Sequence, residues 1–401
     1  MSSQTDPRYR NYDNYLLSYP TLNTGSVKAF EYTRKAIERM DQVLSDLEFE
    51  ERDTDCIFSY LMNEVRVIPF GDYLRRYIYI KAELSDPFEE IPLREYQDLI
   101  RDSFRENLTP FSWNPTSRKP GSIIKRWLTQ KRVLRQTVFL LGFGLRMSEK
   151  DVSEFLMKGI RETDFNFYDP WEALLWHCYH CGKRYPDYLE LLSRADSYEG
   201  TLPDRTRYWE TVGSNPQAFL FDEEKLLGYY CYLKNRQSED SSVQLSEYMQ
   251  LYENVGKLCD ERGGELPSRI ENKYLSGIPR DGQDNLKKIG DSSLADIFLY
   301  QKMSRQRMDA VIKGKQMPDR FDIITLVFFE FSQKDMEPDR RRDAFIFEVN
   351  SILIRCRMSC LLFTIPYEAF VIMCLMTDDP LNTYSEIWEM SYGRMPEDTA
   401  E

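Results

Sequence analysis

Apolar residues recur at three- and four-residue steps along most of the chain, the spacing that lines one face of an α-helix. Ser26 to Phe49 set the pattern, with Val27, Phe30, Ile37, Met40, Val43, Leu44 and Leu47 on one stripe. The same spacing predicts helices over Tyr73–Ala82, Leu93–Arg105, Arg135–Arg146, Asp151–Ile160, Trp171–Cys181 and Glu223–Asn235. It continues through Val243–Cys259, Leu294–Tyr300, Arg305–Lys313, Phe321–Phe331, Arg342–Cys356, Tyr367–Met376 and Tyr384–Met390. Strand-type alternation is weak, and its best short stretch is Val65–Phe70. Two polar stretches rich in Pro and Gly, Asn114–Gly121 and Gly263–Gly290, interrupt the pattern and read as boundaries. The expected fold is all-α and multi-helical.

The pattern also repeats itself. Phe167–Leu192 aligns without a gap with Phe363–Trp388, 196 residues further on. Pro170-Trp171-Glu172-Ala173 matches Pro366-Tyr367-Glu368-Ala369, Cys178 matches Cys374, and Tyr188 with Glu190 matches Tyr384 with Glu386. A proline fits the first helical turn because its missing N–H would have no partner there. Upstream, Val152–Leu156 matches Val349–Leu353 after a one-residue shift. Before that, the helix of Val138, Phe139, Leu141 and Phe143 resembles that of Ile323, Ile324, Leu326 and Phe328. The expectation is two copies of one helical module, each of ordinary domain size.

Within the second copy, Ser293 to Phe328 resembles the helix-turn-helix of phage repressors and xenobiotic-response-element-type bacterial regulators, a resemblance that rests on SRQRMDAVIKGKQMPDRFDIITL, Ser304 to Leu326. Ser304, Met308, Val311, Gly314, Lys315 and Pro318 hold that family's cap, buried, glycine, basic and proline places. Met308, Val311 and Ile312 form a stripe for burial and leave Arg305, Gln306, Asp309, Ala310 and Lys313 outward. Gly314 suits the left-handed C′ position that ends a helix, and Asp319 suits an N-cap. Departures occur in the preceding helix, where Phe298 replaces a small residue and Lys302 the turn glycine. The first copy, Ile123–Leu145, keeps Trp127, Leu128, Lys131 and Arg132 but has Gln130 for the glycine and Leu134 for the proline.

Charge qualifies this resemblance. The 401 residues include 53 Lys plus Arg against 66 Asp plus Glu, a formal net charge of -13. A surface that coats nucleic acid or an anionic membrane all round is excluded, so any DNA contact must be a local basic patch. Arg118 to Arg135 supplies one: Arg118, Lys119, Lys125, Arg126, Lys131, Arg132 and Arg135, with no acid among them. Such a run either holds phosphates or forms a solvated helix face that pairs with acidic segments such as Glu48–Asp55.

Enzyme chemistry has little to work with. Only two histidines occur, His177 and His180, and no phosphate-loop, dinucleotide, nucleophile-elbow or zincin motif appears. The run His177-Cys178-Tyr179-His180-Cys181 suggests zinc, but one helical turn cannot aim four ligands at a point. The second copy places Met373 and Met376 at the histidine positions, as packing would. Eight scattered cysteines without an export signal read as reduced thiols. Asp378-Asp379 and Glu89-Glu90 lie beside prolines and read as loop or cap residues.

The expected organisation is an N-terminal helical region (1–113), a degenerate helix-turn-helix copy (118–200), a connector (201–290) and a second copy (291–395). The resemblance implies a cytoplasmic, non-enzymatic regulator that binds double-stranded DNA, with no cofactor, no metal and no membrane contact. Arg305, Gln306, Asp309 and Lys313 would contact bases; Arg118, Lys119, Lys125, Arg126, Lys131 and Arg132 would hold the backbone. The alternative is a protein-interaction adaptor that kept the bundle and lost the DNA face. An enzyme with an unfamiliar carboxylate site has no positive support.

Overall fold

The computed structural model describes residues 54–63, 69–114, 120–200, 216–261, 305–362 and 365–390. Among them are fourteen α-helices and no strand, so the fold is all-α. In chain order these are α1 (Thr54–Asn63), α2 (Phe70–Lys81), α3 (Leu93–Glu106), α4 (Pro120–Thr129), α5 (Arg135–Gly144), α6 (Glu149–Glu154), α7 (Pro170–His180) and α8 (Tyr185–Asp196). Then come α9 (Glu223–Glu261), α10 (Arg305–Ile312), α11 (Arg320–Phe331), α12 (Pro338–Arg355), α13 (Pro366–Leu375) and α14 (Pro380–Met390). No helix among the described residues is long and apolar enough to cross a membrane. Packing groups them into two units, residues 69–237 and residues 54–63 with 238–390.

The first unit is built around α5, where every residue from Val138 to Gly144 is buried. A helix that is apolar all round belongs at a centre. By contrast α3 buries only Tyr96, Ile100 and Phe104 at four-residue steps and turns Arg94, Asp98, Arg101 and Arg105 outward. Ser148 opens α6 with a capping box, accepting from the Asp151 amide while Asp151 accepts from the Ser148 amide. The second unit repeats the plan: α11 and α13 are almost wholly buried, and Asp319 caps α11 in a box with Asp322. Phe328, Val349, Phe370, Tyr384 and Trp388 form its core.

The observed elements differ from the pattern-based expectation in several places, and α1, α4 and α8 lie where the spacing predicted no helix. Phe70, the last residue of the expected strand, opens α2, and residues 64–68 lie outside the described residues. The helices expected over Glu223–Asn235 and Val243–Cys259 are one continuous helix, α9. No residue between Leu233 and Tyr248 is buried there, so apolar spacing carried no signal for it. The expected helices Ser26–Phe49 and Leu294–Tyr300, and the boundary Gly263–Gly290, lie outside the described residues.

The two units share a hydrogen-bond plan as well as a sequence pattern. In the first, Arg135 at the start of α5 donates to both Glu172 oxygens at 2.7 Å and to the carbonyls of Thr163 and Asp164 at 2.7 and 2.8 Å. In the second, Arg320 at the start of α11 donates to both Glu368 oxygens at 2.6 and 2.8 Å, and to the carbonyls of Ser359 and Cys360. Each carboxylate also accepts one backbone N–H, from Asn166 or from Leu362, again 196 residues apart. Trp171 donates to Tyr188, and their counterparts Tyr367 and Tyr384 stand hydroxyl to hydroxyl.

The one-residue shift in the repeat has a physical seat. Phe155–Gly159 forms a π turn, closed by the Ile160 amide on the Phe155 carbonyl. Its counterpart in α12 is ordinary α-helix, closed by the Cys356 amide on the Ile352 carbonyl. A π turn spans one residue more than an α turn, so it absorbs the extra residue without rotating the chain beyond it. Both turns then end on an arginine in the left-handed region, Arg161 at φ 56° and Arg357 at φ 59°.

Candidate nucleic-acid interface

The basic segment occupies α4 and the loop to α5. α4 buries Ile123, Ile124, Trp127 and Leu128, so Ser122, Lys125, Arg126 and Thr129 fall on its exposed face. Lys131 and Arg132 come next in the loop and are exposed too. Arg118 and Lys119 lie outside the described residues.

That loop is held at both ends. The amides of Phe70 and Gly71 donate to the carbonyls of Lys131 and Gln130 at 2.9 and 3.0 Å. Gly71 is required by this approach, since a Cβ there would stand 2.4 Å from the Leu128 carbonyl oxygen. At the far end Arg135 points inward to Glu172. Burial works against its charge, and the hydrogen bonds and proximity of Glu172 more than restore it, raising its pKa. The run therefore splits by role: Arg135 is a structural cation, and the four other described ones face solvent. Nothing in the one-dimensional run distinguished it; the signal was the helix α5 it opens, which matches α11 opened by Arg320.

The helix expected to read bases is α10. Met308 and Val311 are buried, Ile312 partly so, and Gln306 and Lys313 are exposed. Arg305 opens the helix. Lys313 Nζ lies 3.6 Å from Asp309, and both side chains are at least half exposed. Gly314 takes φ +65°, and its own amide and that of Lys315 close the helix on the carbonyls of Val311 and Ala310. Arg307, which the pattern did not single out, ties α10 to α11. Its Nε and Nη2 donate to Asp322 at 2.6 and 2.7 Å, and Nη2 donates to Asp319 at 2.5 Å. Those bonds hold the guanidinium charged. The helix preceding α10, with Phe298 and Lys302, lies outside the described residues. In the first unit, residues 107–119 separate α3 from α4, a longer connection than the three- or four-residue turn of a helix-turn-helix.

The histidine–cysteine run has other occupations. His177 is buried, with Nδ1 2.6 Å from the Leu220 carbonyl, and burial lowers its pKa. His180 stacks on Trp176 and lies 3.4 Å from Glu149. Cys178 is buried, and its thiol is pushed up by desolvation. Among the described residues no group of three or more metal-ligating side chains converges.

Two further exposures carry no mark in the sequence. α12 turns Phe347 (76 % exposed) and Ile354 (59 %) to solvent, opposite its buried Phe345, Val349 and Ile352. Leu134, between the basic loop and α5, is 75 % exposed. No protein-family model matches the chain, and no curated protein or solved structure matches it.

Proposed function

We propose that the chain is a non-enzymatic DNA-binding protein of the regulator type, gripping the duplex backbone through the first unit and reading bases through α10. The observation that carries the reading is the division within the basic segment. Lys125, Arg126, Lys131 and Arg132 stand exposed on an acid-free stretch anchored at both ends, while Arg135 is drawn inside. Fixed cations on a held backbone bind phosphates with little ordering cost. Gln306 and Asp309 on α10, with Arg305 at its start and Lys313 just past its end, would supply base contacts.

The test is an electrophoretic mobility assay on random duplex at several salt concentrations. Binding should weaken steeply with salt, with a slope of about 0.9 per phosphate contacted. Neutralising Lys125, Arg126, Lys131 and Arg132 together should abolish it. Absence of binding at low salt would sink the reading. A second reading, a protein-interaction adaptor, is favoured by the solvent-facing Phe347 and Ile354 on α12 and by the acid beside Lys313. A photo-crosslinking residue at Phe347 would capture its partner.

A further inference from the structure

We infer that Leu134 is an apolar wedge that the first unit inserts between base pairs of bound duplex. The inference rests on the DNA reading above and adds a residue and a deformation to it. Leu134 occupies the N-cap position of α5, with extended backbone at φ -74° and ψ 148° and no side-chain cap hydrogen bond. Leucine is among the poorest residues for that position, where Ser, Thr, Asp and Asn bond the free amides of the first turn. The N-cap of the matching helix in the second unit is Asp319, one place beyond the proline position at which the sequence set Leu134, and its side chain caps α11. A site that forgoes a cap and leaves three quarters of a leucine in water gains nothing for the fold. Local rules broken without structural gain mark functional positions.

Three observations say what Leu134 meets. The exposed cations Lys131 and Arg132 lie just before it in the loop, and Lys125 and Arg126 lie on the helix before them, so the partner is anionic. The loop is clamped on one side by the Phe70 and Gly71 amides. On the other side Arg135, the next residue, is locked to Glu172 and to two carbonyls. A rigid loop that offers one leucine among cations matches the way proteins unstack a base step, with phosphate contacts seating the apolar side chain. A duplex bent at that step is the consequence.

Leu134→Ser and Leu134→Asn supply the missing cap and test the inference without touching charge. Both should unfold at a temperature equal to or above that of the unaltered protein. On a short duplex carrying a donor and an acceptor dye at its ends, the unaltered protein should bind and bring the dyes closer. The two variants should bind about tenfold more weakly, the fold-change that burial of one leucine side chain commands. Their salt slope should be unchanged and the bend lost, while Leu134→Met should retain both affinity and bend. A variant that keeps either its affinity or its bend overturns the wedge and leaves the DNA reading standing. An unaltered protein that binds no duplex at low salt overturns both.

Discussion

Arg320 lies across the carboxylate of Glu368 in a two-point contact at 2.6 and 2.8 Å, with Glu368 only 2 % exposed. Arg135 meets Glu172 in the same way in the first unit. Each arginine opens a central helix, each glutamate sits on the first turn of a Pro-led helix, and each guanidinium also ties down the loop between them. One ion pair thus fixes three segments. A buried pair costs desolvation of both charges, and shared backbone hydrogen bonds offset that cost.

Removing one partner leaves the other charge buried without its counterion. Glu368→Ala should therefore destabilise the second unit by ~3–5 kcal/mol. Trp388 is the tryptophan of that unit among the described residues, and its fluorescence during urea unfolding reads the loss. Glu172→Ala should do the same for the first unit. A shift no larger than that of an exposed Glu→Ala control, such as Glu224→Ala, would show that the pair does not anchor its loop.

The π turn makes a prediction about length. Met157, on the π turn, is exposed, and deleting it should convert Phe155–Gly159 to α-helix and leave the unfolding midpoint close to that of the full chain. Deleting Ile354, likewise exposed, from α12, which has no residue to spare, rotates the chain after it by about 100°. That pulls the Ser359 and Cys360 carbonyls off Arg320. Differential scanning calorimetry of the two deletions should show a large loss for the second only; equal losses would remove the π turn's role as an inserted residue.

How much of this the sequence displayed depends on where the two copies keep register. From Phe167 to Leu192 the offset to the second copy is constant, and Glu172 with Glu368 and Tyr188 with Tyr384 are legible at sight. Arg135 and Arg320 are 185 residues apart rather than 196, because α11, the loop after it and α12 are together longer than α5, the loop after it, α6 and the π turn. The match of Val138, Phe139, Leu141 and Phe143 with Ile323, Ile324, Leu326 and Phe328 carries the same 185-residue offset and pairs the two arginines, but their shared role shows only once each is seen bonded to its glutamate. Periodicity found the most deeply buried helices for the same reason that it missed residues 236–242 of α9: it detects a face that packs, and none of those seven residues is buried. The exposure of Leu134 and Phe347 was illegible, since an apolar residue in a string carries no mark of which way it turns.

His177 sets a pH dependence. Its buried imidazole, bonded through Nδ1 to the Leu220 carbonyl, has a pKa below the ordinary histidine value of 6.5 because burial disfavours its charge. On acidification the unfolded chain takes up that proton before the folded one does. Stability is therefore full above about pH 6.5 and falls as the pH drops toward the folded-state value. Thermal midpoints measured from about pH 7 to about pH 5.5, before most carboxylates titrate, should decline in the unaltered protein and stay flatter in His177→Gln. An unchanged slope in that variant would assign the decline elsewhere.

Asp309 decides what α10 can do. It stands 3.6 Å from Lys313 on the exposed face of the helix, so it either accepts a base edge or merely mutes the lysine. The two roles respond oppositely to Asp309→Asn. If Asp309 mutes Lys313, the variant frees one cation; binding to random duplex should tighten, and the salt slope should steepen by about 0.9. If it accepts from a cytosine amino group, the variant should lose discrimination at one base position, by about 1–3 kcal/mol. In that case random-duplex affinity changes little. Titrations of a selected sequence and of a scrambled one, each at several salt concentrations, separate the outcomes. The base-reading geometry proposed for α10 requires the second result. The first would leave α10 as a backbone contact and move sequence discrimination to the step that Leu134 deforms.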